Sequence, residues 1–435
     1  MQNAFLISTK YYTEKQAGVM FFVFGMSQFL FQTPAGYLMD SSDKKVALLG
    51  GAAIGTTAFT ILTACFAQEY AGNFSWMVFI KFLQGAATSF ISPGLNSITQ
   101  GIVGSVGMTG QVSKNEMMNH LGTSVMVLLG SLIAFVLYPD IGLLFIVSPV
   151  ACLGVIYHLM KIRPGDIDHN AARGLKAPSK NDSTAMVSDL PVDNDPGSEA
   201  DSPLQVLRDP TLMIFIIICF TFHLSNGTVL PLVMQTLALG GGREGILLSG
   251  LCIIIAQIFM VMSASICGKY SGVYGRKGIF LAGLLSVPIR CALITLLVTM
   301  KGNNNDGGLF LDILLLSTQI LDGVGAGIWG TMYVLVTSDI SGGTGRFSMT
   351  LGLTTAAMSI GGTVSGYLGQ AMAQDIGYRQ AFIILGFMAL VPASLYFFCM
   401  PETLSQEEKA NADVAHDSED ENTEGISSAP YGQMT

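Results

Sequence analysis

Apolar stretches long enough to cross a lipid bilayer recur along nearly the whole chain, and this leaves few folds open. A helix needs about 20 residues to span the hydrocarbon core. Inside it, every backbone N–H and C=O must find its partner within the segment. Such stretches cover 17–38, 46–67, 75–98, 119–138 and 141–160, and after a long polar segment 211–235, 246–268, 278–299, 309–336, 346–373 and 379–400. The expected fold class is an all-α polytopic membrane protein with about eleven visible spans, five before the polar segment and six after it. Composition agrees, since only 12% of the 435 residues are charged, about half the fraction usual in soluble domains.

One short loop occurs twice, each time between two spans. The first copy runs from Gly36 through Asp40 to Lys44 and Lys45, and the second from Gly268 to Gly275, Arg276 and Lys277. Each opens with a glycine that closes an apolar run and ends in two cations before the next. Matching loops at matching places imply an internal duplication, an architecture found mostly in transporters.

Basic residues orient the spans, because they concentrate in cytoplasmic loops. Both repeated loops are basic, and the long segment holds Lys161, Arg163, Arg173, Lys176, Lys180 and Arg208, whereas the alternate loops offer only Arg243, Lys301 and Arg379. The loops, the long segment and the C-terminal tail are thus expected to be cytoplasmic. The chain divides into an N-terminal helical bundle (1–160), a linker (161–210), a C-terminal six-helix bundle (211–402) and an acidic, disordered tail (403–435). An odd number of spans is awkward for a duplicated protein. Asn3–Ile7 reads like the last turns of a helix followed by a polar connection, so most of a first helix is expected to be missing. A true eleven-span protein with an external N-terminus is the other reading.

Several function classes find no support. The seven cysteines lie in or beside apolar runs without CxxC or CxxH spacing, which argues against a disulfide framework or zinc site. No phosphate-binding P-loop, metal-spaced His/Glu cluster or nucleophile elbow is present. An enzyme, a resident cofactor or metal and a nucleic-acid partner are all unexpected. No cleavable signal peptide is visible at Met1. Asn73–Ser75 is a glycosylation sequon in a loop predicted to be external, relevant only in a eukaryotic secretory membrane.

The repeated loop resembles the signature between the second and third helices of the major facilitator superfamily, G-x-L-A-D-R-x-G-R-K. Gly36, Leu38, Asp40, Lys44 and Lys45 match, while Asp43 stands where the family usually has glycine. In the second copy Gly268, Gly275, Arg276 and Lys277 match, but Gly272 occupies the acidic position. Lys81, Gln84 and Gly85 resemble the R-x-x-Q-G of the family's fourth helix, with lysine replacing arginine. The stretches Gln319–Gly327 and Gly343–Phe347 look like the tenth and eleventh helices of bacterial-type members. The fifth-helix antiporter signature is absent, its span offering only Gly122 and Gly130, and the sugar-porter signatures are mostly missing. The resemblance covers almost all of residues 1–402. It implies two pseudo-symmetric six-helix bundles working by alternating access, with Asp40, Lys44 and Lys45 latching the cytoplasmic side. The bland reading of Lys44 and Lys45 is that they only enforce topology.

Ionisable side chains deep in a membrane are costly and mark function by default. Lys81, His223, Arg290 and Asp322 are the candidates, with Gln84, Asn96, Asn226 and Gln235 as polar companions for a substrate cavity. Arg290 and Asp322 fall at similar depth on consecutive helices and are expected to pair, either structurally or as part of a coupling site. Lys81 must find an acceptor in helix amides, in substrate or in the missing first span, or else snorkel to the outer interface. His223 could carry a proton, its unperturbed pKa lying near neutrality, or be a neutral packing residue. The expected function is secondary transport of a small organic solute by a monomer, with a proton or sodium ion as co-ion. A non-transporting sensor or an inactive relative is the competing class.

Overall fold

The computed structural model describes residues 12, 14–66, 73–137, 145–175, 200–303, 308–406 and 409. The helical remnant expected at Asn3–Ile7, the centre of the polar linker and nearly all of the acidic tail lie outside the described residues. The principal helices are α1 (Glu14–Ser41), α2 (Lys45–Phe66), α3 (Phe74–Thr88), α4 (Ile91–Leu137) and α5 (Val147–Leu159). Two short linker helices follow, α6 (His169–Arg173) and α7 (Pro203–Val206). The second half contains α8 (Pro210–Asn226), α9 (Val229–Tyr270), α10 (Arg276–Asn303), α11 (Gly308–Ser317), α12 (Gln319–Ser341), α13 (Phe347–Asp375) and α14 (Tyr378–Cys399). No strand occurs among the described residues.

Seven stretches among the described residues are long and apolar enough to cross a membrane. The longest, Phe74–Gly130, has 57 residues, about 85 Å if straight and far more than one crossing of a hydrocarbon core about 30 Å thick. Two backbone events divide it. At Ser89–Phe90 the helix is interrupted where Pro93, lacking an N–H, cannot bond the Ser89 carbonyl. At Gly104 the backbone takes φ 67° and ψ −179°, a conformation that a residue with a Cβ resists. The span read as 119–138 is therefore only the far part of α4. The polar residues from 99 to 118, which suggested a connection, remain helical. A similar interruption separates α8 from α9 at Gly227 and Thr228, where Pro231 removes the donor for the Gly227 carbonyl.

Read as passes, α1, α2, α3 with the start of α4, the rest of α4, and α5 form the first half. The second half comprises α8 with the start of α9, the rest of α9, α10, α11 with α12, α13 and α14. The halves repeat one packing device. In the first, Gly85 of α3 lies against the Phe24 carbonyl and Ser27 of α1, while Gly323 of α12 lies against the Ala256 carbonyl and Phe259 of α9. Small residues let helix backbones approach closely where lipid offers no hydrophobic drive between helices. Large apolar side chains such as Leu153, Phe387 and Phe398 point outward, as a lipid-facing surface requires. Between the halves, α1 packs on α13 and α4 on α9. These two contacts form most of the seam between the halves, and α4 also meets α12 and α13.

Candidate functional site

The seam is tightest on the side that carries the linker. Asp40, at the end of α1 and 2% exposed, accepts from the backbone N–H of Ser348 at 3.0 Å and of Met349 at 2.8 Å. Those are among the first free amides of α13, so a carboxylate from one half caps a helix of the other. Charge at that end of a helix is also favoured by the helix dipole. Gly36, one turn earlier, lies so close to the Ser348 carbonyl that a Cβ would collide with it, which explains the glycine. Lys45 is fully buried and donates from Nζ to the Met39 carbonyl, closing the end of α1. Lys44 is exposed; its backbone N–H donates to Ser42 Oγ at 3.1 Å and its carbonyl accepts from the Leu48 N–H at 3.0 Å. Asp43, at the family's glycine position, pairs with Arg173 of α6 at 3.1 Å.

The second loop builds a different arrangement from different acids. Arg276 Nε donates to Asp339 Oδ2 at 3.1 Å, one terminal nitrogen to Ser271 Oγ, and the other across the seam to Thr109 Oγ1, both at 3.0 Å. Glu402, just beyond α14, accepts from the backbone N–H of Arg276 at 2.8 Å and of Lys277 at 3.0 Å, capping α10. Thr403 Oγ1 donates to Asp339 Oδ2 at 2.9 Å, and Lys277 Nζ to the Met400 carbonyl at 2.7 Å. Partial burial would raise the Glu402 carboxyl, but the amides of Lys277, Arg276, Leu404 and Thr403 outweigh it and hold the group below the ordinary glutamate value. Gly275 adopts φ 91° beside this carboxylate, and Gly268 abuts Ser113 of the first half. The acid absent at Gly272 is thus supplied from Asp339 and Glu402, far away in sequence.

The seam continues toward the middle of the molecule. Ser113 Oγ donates to the Ala264 carbonyl at 2.7 Å, and Ser359 Oγ donates to Gln32 Oε1 at 3.3 Å. Farther along, His120 Nδ1 meets Gln257 Oε1 at 2.9 Å. Neither Glu116 nor His120 emerged from the sequence, because both fall at the edge of a stretch that its polar residues made look like a loop.

The predicted cavity residues separate into groups. Lys81 is 1% exposed and donates to Gln84 Oε1 at 2.8 Å, while Gln84 Nε2 donates to Thr60 Oγ1 at 2.9 Å, all within the first half. Arg290 pairs with Asp322 and donates to Gln319 Oε1 at 2.7 Å, all within the second half. Among the described residues these two polar clusters each lie within one half. His223 Nδ1 lies 3.2 Å from the Cys219 carbonyl, and its ring is 5.2 Å from that of Trp329, which stacks on Phe222 at 3.9 Å. Asn226 keeps its buried Oδ1 without a hydrogen bond among the described residues. Gln235 accepts from Tyr378 at 3.4 Å, and Asn96 donates to the Ser92 carbonyl of its own helix at 3.0 Å. Among the described residues no group of His, Cys, Asp or Glu could hold a metal ion.

Comparison with known proteins gives concordant results. The model of the Major Facilitator Superfamily matches residues 3–342. An uncharacterized MFS-type transporter of Mycobacterium tuberculosis, found in strains H37Rv and CDC 1551, is 30% identical over 408 residues, covering 93% of this chain and 89% of that protein. Among solved structures, the proton:xylose symporter XylE with a bound bromodeoxyglucose superimposes with TM-score 0.69 at 13% identity, over 94% of both chains. The human organic anion transporter MFSD10 gives TM-score 0.62 at 13% identity, over 91% of this chain and 88% of its own.

Proposed function

Because the chain belongs to the major facilitator superfamily, the protein is an integral, multi-pass membrane transporter rather than an enzyme, and we propose that it moves a small organic solute by alternating access. The bundles 1–160 and 211–402 rock against each other about a midplane cavity. By the distribution of basic residues, the linker side is cytoplasmic. The arrangement described is then closed to the cytoplasm, with Asp40 on α13 and Arg276 on Thr109 as gate contacts.

The observation that carries this reading is the kind of bond that holds the seam. Among the described residues few polar contacts join the halves, and each has groups that water can replace when the halves part. A neutral hydrogen bond contributes about 0.5–1.5 kcal/mol net and a charged one about 1.5–3 kcal/mol. Their sum is within reach of the binding energy of a small solute, so a ligand with different affinity for the two states can shift the balance. Arg290 is neutralised by Asp322 and Lys81 is engaged inside its own bundle, so neither argues for an anionic solute. The residues left to face a solute are His223, Asn226 and Gln235 along α8 and α9, with a proton or sodium ion as co-ion. A sugar symporter and an organic anion transporter share this fold, so the fold alone selects no solute.

The test is reconstitution of the full chain into proteoliposomes. A panel of small organic solutes is screened for uptake driven by an imposed pH or sodium gradient. Gradient-dependent uptake that Asp40→Ala slows is the expected result. Absence of uptake for every solute under both gradients counts against the reading.

A further inference from the structure

Midway along the seam lies a titratable pair that takes no part in the gate. Glu116 and His120 stand one turn apart on α4, with Glu116 Oε2 3.7 Å from His120 Nε2. Glu116 lies about 18 Å beyond Gly104 along α4 at 1.5 Å per residue. Its carboxylate rests against Gly330 of α12, where an added methyl would sit 3.0 Å from Oε2. The side chains are 22% and 12% exposed, neither free in solvent nor sealed in a core.

Among the described residues the surroundings hold little charge. From α9 comes Gln257, and from α12 Tyr333, within electrostatic range of Glu116 and bonded through its hydroxyl to α13. From α4 itself come Asn119 at 3.4 Å and Lys114, whose side chain is exposed. His223 of α8 touches Trp329, the neighbour of Gly330. Toward the gate, Arg276 is already held by Asp339.

The hydrogen bonds determine where protons sit. The Gln257 amide oxygen can only accept, so His120 Nδ1 carries the hydrogen of that bond. In a neutral ring Nε2 is then bare, and it faces a carboxylate, which is also an acceptor. Two opposed acceptors in a low-dielectric seam repel. One added proton turns them into an imidazolium–carboxylate ion pair, with Nδ1 donating to Gln257 and the Nε2 hydrogen facing the carboxylate 3.7 Å away. Docking of Gln257 on His120 therefore favours the proton-loaded pair. When Gln257 withdraws, the ring can carry its single hydrogen on Nε2 toward Glu116, and the extra proton is no longer required.

We propose that Glu116 and His120 share the transported proton, binding it while Gln257 of the other half is docked and releasing it when the halves part. The proton is taken from water on the side open to solvent and returned to water on the opposite side; only N–H and O–H bonds form or break. This rests on the alternating-access reading above and names its coupling ion and the residues that carry it.

The chain has two tryptophans, so Trp76→Phe leaves Trp329, adjacent to Gly330, as the sole indole reporter. Emission of this full-length protein in lipid nanodiscs is recorded from about pH 5 to 8, the range in which histidine pairs titrate. The expected result is one reversible transition that Glu116→Gln abolishes, Glu116→Asp retains with a moved midpoint, and Gln257→Ala displaces. Unchanged elution on size exclusion shows that the variants are folded, and Glu116→Asp guards against loss through misfolding. No transition in the parent protein overturns the proposal. So does a transition that survives Glu116→Gln, or one lost only in His223→Asn. Since no solute is added, failure here with gradient-driven uptake intact removes the proton pair and leaves transport standing; an intact transition without uptake leaves only a titrating pair and overturns its assignment as carrier of a transported proton.

Discussion

The residue that best exposes the energetics of this protein is Arg290. It is completely buried, and Asp322 beside it is 8% exposed. Gln319 takes one more of its donors, while its Nε finds no partner among the described residues. A buried ion pair gains little over a well-packed apolar pair, but removing one member strands the other charge at about 3–5 kcal/mol. Arg290→Gln and Asp322→Asn should each lower the thermal stability of the purified protein sharply. The double variant should recover most of the loss. If the double variant is stable yet inactive in uptake, the pair also serves the transport cycle. The first half carries a milder counterpart in Lys81, Gln84 and Thr60. Gln84-Gly85 and Asp322-Gly323 occupy corresponding positions in the repeat, each polar residue preceding the glycine at its helix crossing.

At the level of elements, helix ends are completed by groups distant in sequence. The first amides of α13 are capped by Asp40 and those of α10 by Glu402. Because amide bonds hold the folded Glu402 below its ordinary value of 4.5, its contribution is complete above that value. The contribution fades as the pH falls through the lower folded-state value. Melting curves of wild type and Glu402→Gln should differ at pH 6, and the gap should shrink as the pH approaches 3. A gap that is constant with pH would mean that the carboxylate charge contributes nothing. The break in α4 is the other element-level device. Gly104→Ala forces a side chain into a backbone conformation that is essentially reserved for glycine, at about 1–3 kcal/mol, and should weaken the gate by tilting the segment that carries Thr109 and Ser113.

For the whole molecule, the seam must open and close if transport is to occur. Ser113→Cys with Ala264→Cys, in a background lacking the native cysteines, places two thiols where Ser113 now bonds the Ala264 carbonyl. Oxidation should arrest uptake and reduction should restore it. Uptake that continues after complete cross-linking would show that these helices do not separate.

Much of this was legible from the chain itself, and the reason is solvent. A bilayer forces each apolar run into a helix, so membrane class, helical architecture and the duplicated loops could be read without coordinates. The Arg290–Asp322 pairing was also legible, because two opposite charges at one depth in lipid have few other partners. The closures between distant residues were not. The sequence shows no acid in the second loop, yet Asp339 arrives there from α12 and Glu402 from the segment just beyond α14. Glu116 looked like part of a polar connection, and His120 like the edge of the next span, because periodicity cannot tell a loop from a helix whose polar face meets another polar face. Gln257, unnoticed in an apolar run, reaches across the seam to His120. Local composition decides whether a segment can enter the membrane. Only the packing of one half on the other decides which of its polar atoms meet, since that depends on rotation about helix axes that no linear pattern records.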